Sequence, residues 1–409
     1  MKILVLNAGS SSHKTCLYEL GESVSHKAPA PVWQAEVDWN GVNGESKLTV
    51  KSTHEPAAVR KLNSRKRNAA IREALGLLVR PGDMSQTERP KISVVGHRVV
   101  HGGRDYHEPT VITEQVKSAI SRLAVFAPLH NPAALEGIEA VEQLLPGVLQ
   151  VAVFDTAFHH TLPEEARTYP GPYEWLREGI LRYGFHGINH EYCSGRAAQI
   201  LGRSLGALRI IVCHLGNGCS LAAVREGRSV DTTMGLTPLE GLMMGTRSGS
   251  VDPGILLYLL QHNSTSPDEL DRVLNHRSGL LGISGLSSDM RDILKAMGEG
   301  NSRARLAFDM FVHRLRLFIG AMAASLGGVD VLVFTGGIGE NSPAVRAAAC
   351  KGLEFLGLRL DESTNEGLSG DRDIACDSSK GRVLVVRANE DFAIAAKCRT
   401  VARSRPHAI

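Results

Sequence analysis

The arrangement that most constrains this chain's fold is a strand, a glycine- and hydroxyl-rich turn and a return strand, met twice, about half the chain apart. The first copy runs from Ile3 to Leu6, turns through Asn7-Ala8-Gly9 and the serines Ser10, Ser11 and Ser12, and returns from Lys14 to Leu20. The second runs from Ile210 to Cys213, turns through HLGNGCS and returns from Leu221 to Val224. Aligned on their turns, Asn7 falls with His214 and Gly9 with Gly216. A repeated supersecondary unit in a chain of 409 residues points to two related halves, although two turns alone also arise by chance.

The rest of the chain reads as alternating strands and helices. Ile92 to Val100 is a strand ending at His101-Gly102-Gly103, and Val151 to Phe154 is a buried strand closing on Asp155. Arg303 to Met322 places Leu306, Met310, Phe311, Leu315, Ile319 and Met322 on one helical face, stopped by Gly327-Gly328. Val329 to Phe334 is a strand, followed by a loop TGGIGEN and by Ser342-Pro343, an N-cap and first helical residue. Val383 to Val386 is the last strand and Phe392 to Ala402 the last helix. The stretch from about Gly21 to Gly82 is polar and weakly periodic. Its basic run, Arg60 to Arg67, reads as a solvated face. The class is α/β.

Charge and cysteine usage narrow the function classes. Forty-six basic against 43 acidic residues leave a net charge of +3, against a dedicated nucleic-acid or membrane-surface binder. No run has the length of a membrane span, and MKILVLNAG lacks a signal-peptide core. Seven scattered cysteines without C-x-x-C spacing fit neither a disulfide framework nor a structural zinc site, so the expectation is a reduced, cytoplasmic enzyme. Glycine, 42 residues, exceeds the usual share of roughly 7%, and the excess belongs in loops.

Three of those loops, NAGSSSHK, HLGNGCS and GGIGEN, have the composition of phosphate cradles. Glycine lets the backbone approach an anion, serines add donors and Lys14 adds a charge. Taken singly, each is more often an ordinary tight turn; three on a duplicated α/β scaffold favour a nucleotide. Neither a P-loop nor a dinucleotide fingerprint is present. Arg98 at a strand end and Arg247 among the glycines of MMGTRSGS are candidates for bidentate anion clamps, the alternative being surface salt bridges. Asp155 reads as a ligand-binding carboxylate or a helix N-cap, and Glu390 as a metal-bound or plain helix N-terminal carboxylate. His186, in RYGFHGINH, alone reads as a satisfied core histidine.

NAGSSSHK, GHRVVHGG, APLHNP, FDTAFH, RYGFHG, HLGNG, MGLTPLEGLMMGTRSG, SGLSSDMRD, TGGIGEN and ANED together resemble the acetate kinase family, in its order and across essentially the whole chain. The resemblance implies two duplicated actin-like (ribonuclease H-like) domains with a nucleotide cleft between them, the superfamily of sugar kinases, actin and heat-shock chaperone ATPases. It implies an N-terminal domain of residues 1–155 plus 392–409 and a nucleotide-binding domain of 156–391, a homodimer, and ATP or ADP with magnesium, for which manganese can substitute.

Residue by residue, Asn7 and Glu390 match metal positions, and Ser10, Ser12 and Lys14 ATP-phosphate positions. Arg98 matches the acid-binding arginine, Asp155 a catalytic acid or base, and His186 and Arg247 transition-state stabilisers. His214, Leu215, Gly216, Asn217 and Gly218, then Asp289, Met290 and Arg291, then Gly337, Ile338, Gly339, Glu340 and Asn341 match nucleotide segments. Val100, Leu129, Phe185 and Pro238 match the pocket for the acetate methyl. The chain departs from the family's usual residues at Ile188-Asn189, Ser250, His13 and ANED. The implied reaction is phosphoryl transfer between ATP and acetate, with a propionate or butyrate kinase, or an actin-like or chaperone-like ATPase, as the competing readings.

Overall fold

The computed structural model describes residues 1–9, 12–22, 28–38, 46–53, 57–62, 67–79, 91–128, 130–263, 265–366 and 370–404. Ser10, Leu129 and part of the Arg60–Arg67 run lie outside them. The chain forms two units, Met1–Ala157 with Asn389–Ile409, and Phe158–Ala388.

The first unit carries strands β1 (Lys2–Ala8), β2 (Ser12–Glu19), β3 (Trp33–Asp38), β4 (Lys47–Ser52), β5 (Ala58–Lys61), β6 (Val94–Val99), β7 (Thr110–Val111) and β8 (Leu149–Phe154). They form one sheet in the order β5-β4-β3-β2-β1-β6-β8-β7. β1 pairs antiparallel with β2 and parallel with β6, and β6 pairs parallel with β8. Alternation sends Leu4 and Leu6 to one face, where they join Trp33, Val37, Leu48 and the helix Arg67–Val79 in a core. The helix Glu390–Arg403 packs on β1 and β6. A Cβ at Gly96 would collide with Cys398 and Ile394 of that helix, so this contact requires glycine.

The second unit carries β9 (Arg209–Leu215), β10 (Cys219–Arg225), β11 (Arg228–Thr232), β12 (Val331–Thr335), β13 (Arg372–Asp373) and β14 (Arg382–Val385), in the order β11-β10-β9-β12-β14-β13. β9 pairs antiparallel with β10 and parallel with β12, and β12 parallel with β14. The hairpin β1–β2 and strands β6 and β8 therefore recur as β9–β10, β12 and β14. Two turns alone arise by chance; two sheets of the same connectivity establish the duplication. The helix Gly187–Ile200 covers β9 and β12, with Cys193 and Ala197 against Ile210, Val212 and Val331.

Three readings need correction. The stretch from Gly21 to Gly82 holds β3, β4, β5 and a helix, because Trp33, Ala35 and Val37 alternate with polar residues and stay buried. TGGIGEN is a helical turn, Gly336–Asn341, since Gly336 at φ +78° turns the chain straight from β12 into a helix. In the long helix Ser302–Leu326 the buried face includes Ala304, Ala307 and Phe308 and leaves Leu306 exposed.

Candidate active site

The ends of β1, β6 and β8 lie side by side, so adjacent strands deliver Asn7, Arg98 and Asp155 to one edge. Arg98 donates from Nε and Nη2 to Asp155 Oδ2 at 3.0 and 2.5 Å, and from Nη1 to Asn7 Oδ1 at 3.2 Å. Glu390, the first residue of its helix, holds Oε2 3.9 Å from Arg98 Nε and accepts from Asn7 Nδ2 at 3.4 Å. Asn7 Nδ2 also donates to Asp391 Oδ1 at 2.8 Å, and Lys14 Nζ stands 2.6 Å from Asp391 Oδ2. Five of the residues expected from sequence in this unit, Asn7, Lys14, Arg98, Asp155 and Glu390, converge. Asp391, which sequence reasoning missed, is the buried carboxylate that joins Lys14 to Asn7. Its signal was the second acid of ANED.

Asp155 is not a helix N-cap. Its Oδ2 serves Arg98, and its Oδ1 is buried with no hydrogen-bond partner among the described residues. Burial pushes its carboxyl up to about 6 against the opposing pull of Arg98, with Glu390 adding to the rise. Lys14 is held above the usual lysine range: burial opposes this, and the Asp391 carboxylate together with Cys16 and Glu36 outweighs it. Val100 is buried beyond the end of β6.

In the second unit the turn between β9 and β10 closes with Gly216 N donating to Gly218 O at 3.0 Å. A Cβ on Gly218 would come within 3.5 Å of both Arg247 Nη1 and the His186 ring, so these two side chains meet the turn at one place. Arg247 Nη1 donates to the Pro238 carbonyl at 3.0 Å, and no carboxylate lies within ion-pair distance among the described residues. Burial lowers the Arg247 pKa. A half-buried guanidinium without a counter-ion is a poor structural element and a ready anion site, which disposes of the surface salt bridge.

His186 caps the helix Gly187–Ile200 in the left-handed region, φ +56°, ψ +22°, strain of a kind that gathers at functional sites. Its ring stacks on His214 at 4.1 Å and 18°, and its Nδ1 lies 2.9 Å from Ser220 Oγ. Asn189 Nδ2 donates to His214 Nδ1 at 2.7 Å and reaches Thr335 Oγ1 at 3.4 Å, so one departure from the family's residues buries an amide at the ends of β9 and β12. Another, Ser250, accepts from Gly241 N at 3.0 Å through its Oγ.

Glu340 Oε1 accepts from Gly336 N and Ala388 N at 3.0 and 2.9 Å, and Asn341 Nδ2 donates to Gly337 O at 2.9 Å. Asp289 and Arg291 form an exposed pair in which Asp289 caps the helix Met290–Gly298. Met290, Leu215 and Phe185 have buried side chains. Sequence reasoning also missed Arg346, fully buried, which donates to the carbonyls of Gly339 and Glu340 at 2.9 and 2.8 Å and anchors the helical turn.

Duplicated actin-like halves that gather a held arginine and a lysine at one set of strand ends, and histidines beside an uncompensated arginine at the other, define a phosphotransferase of the two-fold α/β type. The chain belongs to the acetokinase family, whose model matches residues 2–396. An acetate kinase of Gloeobacter violaceus is 56% identical over 97% of this chain and 98% of its own. An acetate kinase of Cyanothece sp. is 55% identical over 97% and 98%. Among solved structures, Porphyromonas gingivalis acetate kinase superposes with a TM-score of 0.88 at 42% identity, covering 98% of this chain and 99% of that one. A propionate kinase from Francisella tularensis gives 0.87 at 38% identity, with the same coverage.

Proposed function

We propose that the chain catalyses reversible transfer of the ATP γ-phosphoryl group to acetate, giving acetyl phosphate and ADP. The observation that carries this reading is a family match over residues 2–396 joined to acetate kinases 55–56% identical over 97% of the chain.

Acetate, like the model carboxylates, is ionised at pH 7 and offers no proton for a base to remove. The barrier is repulsion between two anions and the charge of the transferring group, so positioning and electrostatics supply the rate. A guanidinium has five N–H groups. The bonds from Arg98 to Asp155 and Asn7 occupy three, leaving two for the carboxylate of the acid. Asp155 orients that fork and does not shuttle a proton. Arg247 and His186 serve the transferring phosphoryl group, and Val100, Leu129, Phe185 and Pro238 stand at the family's positions for the methyl. Ser10, Ser12 and Lys14, the turn His214–Gly218, Asp289–Arg291 and Gly337–Asn341 serve the nucleotide. On this reading the first unit carries the phosphate hairpin and the acid-binding arginine, and the second carries the other nucleotide segments.

Magnesium is implied by the family. Among the described residues no three His, Cys, Asp or Glu side chains form a metal cage. Magnesium needs only one or two carboxylates beside substrate phosphates, and the oxygen donors Asn7 and Glu390, next to the unpartnered Asp155 Oδ1, fit it. Bound with the nucleotide, the ion would neutralise charge on the phosphate oxygens. Seven free cysteines support a reducing, cytoplasmic setting. A homodimer is supported by the helix Pro253–His262, which exposes Ile255, Leu257, Tyr258 and Leu260 and buries no side chain.

Hydroxamate trapping of acyl phosphate with acetate, propionate and butyrate tests the proposal. Acetate should give the highest kcat/KM and propionate a lower one, since each methylene is worth about 1–3 kcal/mol. Equal values for acetate and butyrate would refute the pocket, and ATP hydrolysis without acyl phosphate would refute the activity.

A further inference from the structure

Four imidazoles gather where the first turn of the helix Gly187–Ile200 meets β9 and β10. His190 is fully buried, its ring 5.6 Å from His159 and 6.3 Å from His214. Its Nε2 lies 2.7 Å from Ser220 Oγ, and its Nδ1 is buried with no hydrogen-bond partner among the described residues. Ser220, also fully buried, places Oγ 2.9 Å from His186 Nδ1 on its other side. Among the described residues these two ring nitrogens are the hydrogen-bond partners of that hydroxyl.

Such a chain of atoms has one direction. A neutral imidazole carries a single N–H. On His190 Nδ1 it would be a buried, unpaired donor, which costs more than an unpaired lone pair and is rarer in folded proteins. The proton therefore sits on Nε2 and points at Ser220. The hydroxyl must place its own proton, and the remaining acceptor is His186 Nδ1. His186 keeps its proton on Nε2. The adjoining ring follows the same rule: Asn189 Nδ2 donates to His214 Nδ1, which leaves the His214 proton on Nε2.

We propose that His190 and Ser220 are positioning residues that fix His186 as its Nε2–H tautomer, with Asn189 doing the same for His214, so that the two stacked rings offer N–H donors to a phosphoryl group. The Ser220 hydroxyl fills the lone pair that a second proton on His186 would need, so His186 acts as a neutral donor. Burial, with smaller contributions from His159 and His214, holds His190 well below the usual histidine range, which keeps the relay's direction constant at neutral pH. What the donors face rests on the phosphotransferase reading; the tautomer does not.

The test is long-range proton–nitrogen NMR on the full-length enzyme labelled with ¹⁵N-histidine, the His186 signals being those lost in His186→Gln. Wild type should show His186 with Nδ1 bare and Nε2 protonated. Ser220→Ala should move protonation towards Nδ1 and lower kcat about tenfold, with both KM values within about twofold; Ser220→Thr should restore both. A wild-type ring protonated on Nδ1, or an unchanged tautomer in Ser220→Ala, would overturn the proposal. The wild-type spectrum decides even where the alanine variant does not fold. The expected spectrum in an enzyme that forms no acyl phosphate would leave the tautomer assignment standing and remove only the reading of the reaction.

Discussion

Acid should unfold this protein through its buried histidines, and His97 gives the cleanest measurement. It sits in β6, is 1% exposed, and its Nε2 lies 2.7 Å from Gln150 Oε1. Burial lowers its pKa to about 4 despite that hydrogen bond, from 6.5 in the unfolded chain. Between those values the unfolded chain binds the extra proton, so the contribution is intact above pH 6.5 and is lost as pH falls through 4. Each tenfold difference in proton affinity between the two states is worth about 1.4 kcal/mol, so the loss comes to about 2 kcal/mol at pH 5 and approaches about 3 kcal/mol below pH 4. A whole domain has only about 5–15 kcal/mol. His159 follows the same course, lowered to about 4 by burial and by Arg182 against its bond to Phe185 O. Asp155 works in the opposite sense: its raised carboxyl contributes stability that is present below about pH 4 and lost as pH rises through about 6. Comparing wild type with His97→Gln isolates the His97 contribution. Urea unfolding between pH 8 and pH 5, followed by pulse-labelled hydrogen exchange on peptides of the first unit, should show the variant losing about 2 kcal/mol less than wild type over that interval. Equal losses would mean that His97 is not held neutral by burial.

Three further outcomes follow from the site. Arg98→Ala should raise the KM for acetate about 10–100-fold, the worth of one or two charge-assisted hydrogen bonds, while the KM for ATP moves far less; equal effects on both would end the clamp assignment. Arg247→Met should lower kcat by about 10²–10³ while leaving the urea midpoint unchanged or higher, because a buried charge without a counter-ion is removed; a loss above about 2 kcal/mol would make Arg247 a structural anchor instead. Asp391→Asn should free Lys14 and raise the KM for ATP, and the pH at which Lys14 is acylated should fall towards that of an ordinary lysine; an unchanged labelling profile would refute Asp391 as its partner.

The two glycine-turn hairpins, the strand ends bearing Arg98 and Asp155, and the kinship with acetate kinases were legible in the chain itself. They depend on local signals, namely apolar runs closing on glycine or a charged residue and motifs in fixed order. β5 was not legible, because all four of its residues are exposed and only backbone pairing with β4 makes it a strand. Gly336–Asn341 reads as a loop because glycine has low helix propensity. The fold overrides that preference: Glu340 accepts from Gly336 N, and the buried Arg346 takes the carbonyls of Gly339 and Glu340.

What only the tertiary structure decided is which polar groups face one another across distant sequence. Asp391 joins Lys14 to Asn7, and Ser220 sits between His186 and His190. The residue types were visible all along. Pairing of buried donors and acceptors is a requirement of the whole packed interior, where each group must find a partner within about 3 Å or bear the cost of losing water. Periodicity and motif report the strand or turn that carries a side chain. The partner is set by register, by helix placement and by which atoms the packing leaves unsatisfied.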